Sequence, residues 1–190
     1  MQGSLTEVVT AALDGAVVSF PTDTVPALAV RPDRAELIYQ LKQRDASQPL
    51  ILLAANSADL WPFARGNNEE KEIWQEMASR YWPGALTLVL PASTRIPAGL
   101  NSGVNTIGLR LPNSLAAKSV LQQTGALATS SANLSGEAPL LNMLQVDRVF
   151  PTVTTLIGER DRSASNQPST VIKWTGTDWE VLRQGLVVIE

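Results

Sequence analysis

The chain has 190 residues, of which 44% are hydrophobic and 17% charged, the make-up of a globular protein with a core rather than of a disordered or fibrous one. It contains no cysteine and no histidine, which excludes disulfides, Cys/His metal sites, thiol nucleophiles and any Ser-His-Asp arrangement. Its formal net charge of −3 provides no global field toward nucleic acid or anionic membrane.

The pattern alternates helix and strand. Ser4 through Glu7 reads as a capping box that opens a short helix closed at Gly15. Ala16–Phe20 is predicted as a strand stopped by Pro21, and Ala27–Val30 as a second one. Asp33 is predicted to cap a helix running to Arg44, with Leu37, Ile38 and Leu41 inward. Leu50–Ala54 reads as a buried strand, and Asn68–Tyr81 as an amphipathic helix with Ile73, Trp74 and Met77 on its inner face. Leu86–Leu90 and Thr106–Leu111 follow as strands. Asn113 is predicted to cap a helix ending at Gly125, and Ala126–Thr129 to form another strand. Thr154–Ile157, Thr170–Trp174 and Glu180–Arg183 are short strands, the last two joined by a turn at Thr175–Asp178. No repeat or linker interrupts the pattern. It predicts one α/β domain over residues 1–190, with a twisted sheet of mixed parallel and antiparallel strands and helices on its faces.

Asp and Glu are absent from Met77 through Gly136, while Arg80, Arg95, Arg110 and Lys118 remain. This window is either a region kept free of carboxylates for an anionic ligand or simply a set of buried strands. The first basic residue is Arg31 and the longest aliphatic run is Leu50–Ala55, so neither a signal peptide nor a membrane span is expected, and the cytoplasm is the expected location.

Four segments offer chemistry. Phe20–Pro26 follows a strand with two threonines and Asp23, as a ligand loop or as a turn bonding its own backbone. Lys42 and Arg44 stand at a helix end, either complementing its dipole or holding an oxyanion. Thr129–Gly136 runs from a strand into a dense set of hydroxyl, amide and backbone donors, the composition of an anion nest. Arg110 alternates with Ile107, Leu109 and Leu111 and needs a partner, which a ligand anion or a remote carboxylate would supply. Neither a P-loop nor a G-x-G-x-x-G fingerprint is present, and no acidic pair has two-metal spacing.

The order of these segments is more specific than any one of them. Pro21-Thr-Asp-Thr-Val25, Lys42-Gln-Arg44, Trp82-Pro-Gly84, Thr106-Ile-Gly-Leu-Arg110, Ser130-Ser-Ala-Asn-Leu-Ser-Gly136, Ser169-Thr-Val171 and Arg183-Gln-Gly185 together resemble the YrdC-type threonylcarbamoyl-AMP synthases, in their short form and over nearly the whole chain. The resemblance implies a sheet curled around a large, positively lined cavity. It implies formation of threonylcarbamoyl-AMP from L-threonine, bicarbonate and ATP with release of pyrophosphate, with Mg²⁺ carried on the nucleotide. Partner proteins would then transfer the threonylcarbamoyl group to adenosine 37 of tRNA. By the same resemblance Lys42, Arg44, Ser131 and Asn133 contact phosphates, and Thr106 and Arg183 contact the nucleotide. Thr22, Arg110, Thr129 and Ser169 lie near the threonine, Arg110 facing its carboxylate. No acid, base or nucleophile from the protein is assigned, and none is required: joining a carbamate oxygen to phosphorus depends on positioning and cations.

Two departures mark this chain. Where the family usually has Thr-Val-Tyr-Gly-Leu, it has Thr24-Val-Pro26-Ala27-Leu28, which removes an aromatic face and a backbone donor and adds a Cβ. Asp45 follows Arg44 where proline is usual. These changes leave open a second reading, a divergent or non-catalytic paralogue that binds RNA or nucleotide on the same scaffold.

Overall fold

Capping and hydrophobic spacing set most of the elements. The computed structural model describes residues 1–97, 99–100, 103–156 and 164–189. Strand β1 (Gln2–Gly3) precedes helix α1 (Leu5–Leu13), whose Ser4–Glu7 capping box forms as predicted. β2 (Val18–Phe20) and β3 (Ala27–Val30) lead to α2 (Glu36–Lys42), then β4 (Ile51–Leu53) and α3 (Asn68–Tyr81). β5 (Leu86–Pro91), β6 (Thr106–Arg110), α4 (Leu115–Thr124) and β7 (Leu127–Ser131) follow. The chain continues through α5 (Met143–Val149), β8 (Thr154–Leu156), β9 (Thr170–Trp174) and β10 (Trp179–Arg183). Ile157, predicted to end a strand, lies outside the described residues.

Several local expectations are corrected. Asp33 does not cap α2; its carboxylate pairs with Arg31 at 2.8 Å, and the stretch Pro32–Arg34 is a separate 3₁₀ turn. α2 stops at Lys42, because Gln43 adopts the left-handed conformation at φ 52° and turns Arg44 out of the helix. Ser114, not Asn113, caps α4, accepting from the Ala117 N–H at 3.1 Å. Ile73 points outward at 41% exposure, while Trp74 is fully buried and Met77 packs against the same core, as predicted. α5 and β1 were not legible: α5 buries only Val146, and β1 is a two-residue strand placed by the terminal ammonium donating to Val153 O at 2.8 Å.

The ten strands form one sheet in the order β1-β8-β2-β3-β7-β4-β6-β5-β9-β10. Parallel pairs (β4 with β6, β5 with β9) mix with antiparallel ones (β3 with β7, β4 with β7, β5 with β6). Alternation along each strand divides its side chains between two faces. Leu28, Leu52, Ala128, Leu88 and Leu109 pack on the face covered by α2, α3 and α5. Ala27, Ala29, Leu53 and Leu127 pack on the other, against Val8 and Ala12 of α1 and Ala117 and Leu121 of α4. That second pair of helices covers only part of its face. Toward β6, β5 and β9 the same face is open, and there the sheet floors a cavity. No helix among the described residues is long and apolar enough to cross a membrane.

Candidate functional site

The cavity has a volume of about 600 Å³. One register row crosses its floor: Thr129 on β7 stands beside Ile51 on β4, Ile51 beside Gly108 on β6, Gly108 beside Val89 on β5, and Val89 beside Lys173 on β9. All five line it. A Cβ at Gly108 would stand 2.6 Å from Ile51 Cγ2, so any larger residue there would force Ile51 to shift. The acid-free window supplies three of the strands that line the hollow, β5, β6 and β7, and of its named cations Arg110 alone is in the lining. Four cations (Arg44, Arg110, Lys173 and Arg183) and no carboxylate appear among the described lining residues.

Arg44 Nη1 donates to Ser130 Oγ at 2.9 Å and Nη2 to Pro49 O at 3.2 Å, which holds the guanidinium at one end of the cavity. Its Nε is buried without a partner among the described residues. Asp45 does not disturb this clamp: its exposed carboxylate accepts from the Ser47 N–H at 2.8 Å and is held below the usual carboxylate range by that bond.

Lys42 is enclosed just behind this wall. Its Nζ donates to Ser131 O and, at 3.3 Å, to Asn133 Oδ1, while Ser131 Oγ donates to the same Asn133 oxygen at 2.6 Å. The Asn133 amide nitrogen donates onward to Leu134 O and Glu137 O. A buried ammonium therefore pins the Ser-Asn loop from below. Burial pulls Lys42 down to about 8, with a smaller push from the Arg44 charge. Neither Lys42 nor Asn133 is among the cavity-lining residues, whereas Ser130 and Ser131 are.

Arg110 finds the remote carboxylate that its strand position required. Nη2 donates to Asp23 Oδ1 at 2.6 Å, Nη1 to Thr24 Oγ1 at 3.0 Å and Nε to Gly84 O at 3.0 Å. Burial pulls this guanidinium below its ordinary value, and Asp23 opposes the shift. The Phe20–Pro26 turn also bonds itself, Thr22 Oγ1 donating to Val25 O at 2.8 Å and accepting from the Thr24 N–H at 3.1 Å. Thr22 and Thr24 nonetheless border the cavity. The turn bonds its own backbone, and it does so on the cavity wall.

At the opposite end Arg183 donates from Nε and Nη2 to Ser169 O at 3.1 and 2.9 Å, and Ser169 Oγ lies 2.9 Å from Thr87 Oγ1. Thr129 Oγ1 donates to Ile51 O at 3.1 Å, and Thr106 lies on the cavity wall. Of the ten residues singled out by the resemblance, eight line this one hollow.

A protein-family model for the Sua5, YciO and YrdC proteins, described as "Telomere recombination", matches residues 10–185. The chain belongs to this family. A relative from Pyrococcus abyssi named threonylcarbamoyl-AMP synthase is 33% identical over 181 residues, which cover 93% of this chain and 52% of the relative. The chain thus spans about half the length of that protein. A Halorhodospira halophila protein of the same name is 37% identical over 142 residues, 73% of each chain. The crystal structure of P. abyssi Sua5 complexed with L-threonine matches with a TM-score of 0.84 at 30% identity, over 97% of this chain and 56% of that one.

Within the Sua5/YciO/YrdC framework, Pro26 and Ala27 both border the cavity. Ala27 pairs with Ser131 across β3 and β7, and Pro26 O accepts from the Ala132 N–H at 2.9 Å. The departure from the family's usual run therefore falls on the wall next to the Ser-Asn loop. Among functional neighbours, Asp23 and Ser130 lay inside segments already singled out, but their partners are set by tertiary contact. Lys173 was missed, although a lysine alternating with Val171 along a short strand is a visible signal that it shares Val171's face.

Proposed function

We propose that this protein forms threonylcarbamoyl-AMP from L-threonine, bicarbonate and ATP, releasing pyrophosphate. The observation that carries this reading is the convergence of Arg44, Arg110 and Arg183 with the hydroxyls of Ser131, Thr22 and Ser169 on one hollow of about 600 Å³, in a family whose relatives bear the synthase name.

In the proposed reaction the threonine amine adds to bicarbonate with loss of water, and a carbamate oxygen then attacks the α-phosphorus of ATP. The bond to the β-phosphate oxygen breaks and pyrophosphate leaves. Arg44 and the Ser130 hydroxyl, which accepts from Arg44 and keeps its own proton to donate, hold phosphate oxygens beside Ser131 at one end, while the Arg110 guanidinium, kept rigid by Asp23, meets the threonine carboxylate. Thr106 and Arg183 face the nucleoside. Arginine suits this work because it remains charged even where burial lowers its pKa. No group of three or more carboxylates able to hold a metal occurs among the described residues, and the described lining offers none. Magnesium would enter as part of the ATP substrate, held by phosphate oxygens and water. The product would be consumed by partner proteins that modify tRNA.

The test is pyrophosphate release by the purified protein. It is expected only when threonine, bicarbonate and ATP are all present, and to fall sharply in Arg44→Ala. No release under these conditions, in a folded protein, would sink the synthase reading.

A further inference from the structure

Three of the four cavity cations are committed to protein acceptors: Arg44 to Ser130 and Pro49, Arg110 to Asp23, Thr24 and Gly84, and Arg183 to Ser169. Lys173 is the exception. It is half-buried on the cavity wall, and its ammonium has no hydrogen bond or ion pair among the described residues. It closes the floor row at β9, four strand spacings from Thr129, roughly 19 Å along the sheet. That places it at the Arg183 end, too far for the phosphate held by Arg44 and Ser131 to satisfy it as well. An ammonium held partly out of water, beside Val89, Val171 and Leu182, is stabilised when an anion meets it. Among the described residues, one protein carboxylate is placed to compete. Glu180 on β10 stands opposite Lys173 in the antiparallel register, but it is exposed and does not form an ion pair with it.

We propose that Lys173 is a further substrate-binding residue, whose ammonium donates to a ligand oxyanion at the β9–β10 end of the cavity and so forms a second anion subsite opposite Arg44. The inference deepens the synthase reading and rests on it for the identity of the oxyanion, either an oxygen of the α-phosphate, the one next to the nucleoside at the Arg183 end, or bicarbonate.

The test uses the full chain with Lys173→Gln, Lys173→Arg and Glu180→Gln, each first shown by thermal melting to be folded. Two binding readouts need no turnover: calorimetry with ATP, and NMR titration with ¹³C-bicarbonate in the presence of threonine and an ATP analogue with a methylene bridge between the α- and β-phosphorus, which cannot release pyrophosphate. Lys173→Gln is expected to weaken one of them by about 10- to 100-fold, Lys173→Arg to recover most of the loss, and Glu180→Gln to match the parent. Loss in the ATP arm assigns the subsite to phosphate, and loss in the bicarbonate arm alone assigns it to bicarbonate. The proposal is overturned if Lys173→Gln binds both ligands like the parent, or if Glu180→Gln reproduces its loss, which would make the lysine a cross-strand partner only. Because neither readout depends on product formation, a protein that binds but does not turn over would sink the synthase reading and leave the Lys173 result standing.

Discussion

The carboxylate of Asp23 lies 2.6 Å from Nη2 of Arg110, and both side chains are almost fully enclosed, at 7% and 5% exposure. Eighty-seven positions separate them in the chain, and the pair fixes the β2–β3 turn to the end of β6. A buried pair of this kind adds little net stability over an apolar replacement, but breaking one side of it strands a charge.

Asp23→Ala is therefore expected to lower unfolding free energy by about 3–5 kcal/mol. The double variant Asp23→Ala with Arg110→Met should recover part of that loss, because no uncompensated charge remains. Urea denaturation of the single and double variants checks both. A single variant as stable as the parent would mean that water reaches the pair.

Lys42 gives a pH signature. Its ammonium titrates near 8 in the folded chain against an ordinary 10.5, so above pH 8 the unfolded chain binds more protons. Stability contributed by this site is expected to rise with pH from 8 toward 9.5, and to be lost as pH falls through 8. Tyr39, whose burial raises its own pKa, acts in the opposite sense only above about 10. Chemical denaturation of the parent and of Lys42→Met across pH 7 to 9.5 isolates the effect: the difference between them should shrink or grow in the parent's favour as pH rises. A pH-independent difference would place the ammonium in contact with water.

Local rules made much of the fold readable. α3 begins at its Asn67 capping box and ends at Tyr81, and β3 spans Ala27–Val30, both as the residues dictate. The candidate site was readable as an ordered set of short segments, and eight of its ten residues share the cavity. What escaped was set by contacts at long sequence separation. Nothing near Arg110 marks Asp23 as its partner, and nothing around Lys42 says that it turns inward under Ser131 rather than toward the ligand. Helix ends were misplaced where a neighbouring polar residue competed, as Ser114 does with Asn113.

Gly185, in the Arg183-Gln-Gly185 segment, is held by close packing. A Cβ there would lie 2.3 Å from Pro168 O and 2.4 Å from Ser169 C, both backbone atoms that cannot swing away. Gly185→Ala is expected to destabilise the protein by about 1–3 kcal/mol. By pushing Arg183 off Ser169 O it should also weaken nucleotide binding. Gly99→Ala, where a Cβ meets nothing within 4 Å, serves as the neutral control in thermal melting. Equal melting temperatures for the two variants would show that the Pro168–Ser169 backbone yields.

Arg44 separates positioning from charge. Ser130 and Pro49 take one N–H from each of its terminal nitrogens, which leaves a second N–H on each for a ligand oxyanion. Arg44→Ala is expected to raise the Kd for ATP by about 10- to 100-fold. Arg44→Lys should restore only part of this, since a single ammonium cannot reproduce the planar fork. Asp45→Asn should change ATP affinity by less than about threefold, because its carboxylate is turned to Ser47 and screened by solvent. Calorimetry at two salt concentrations reads all three, and a larger effect at Asp45 than at Arg44 would place the phosphates elsewhere in the cavity.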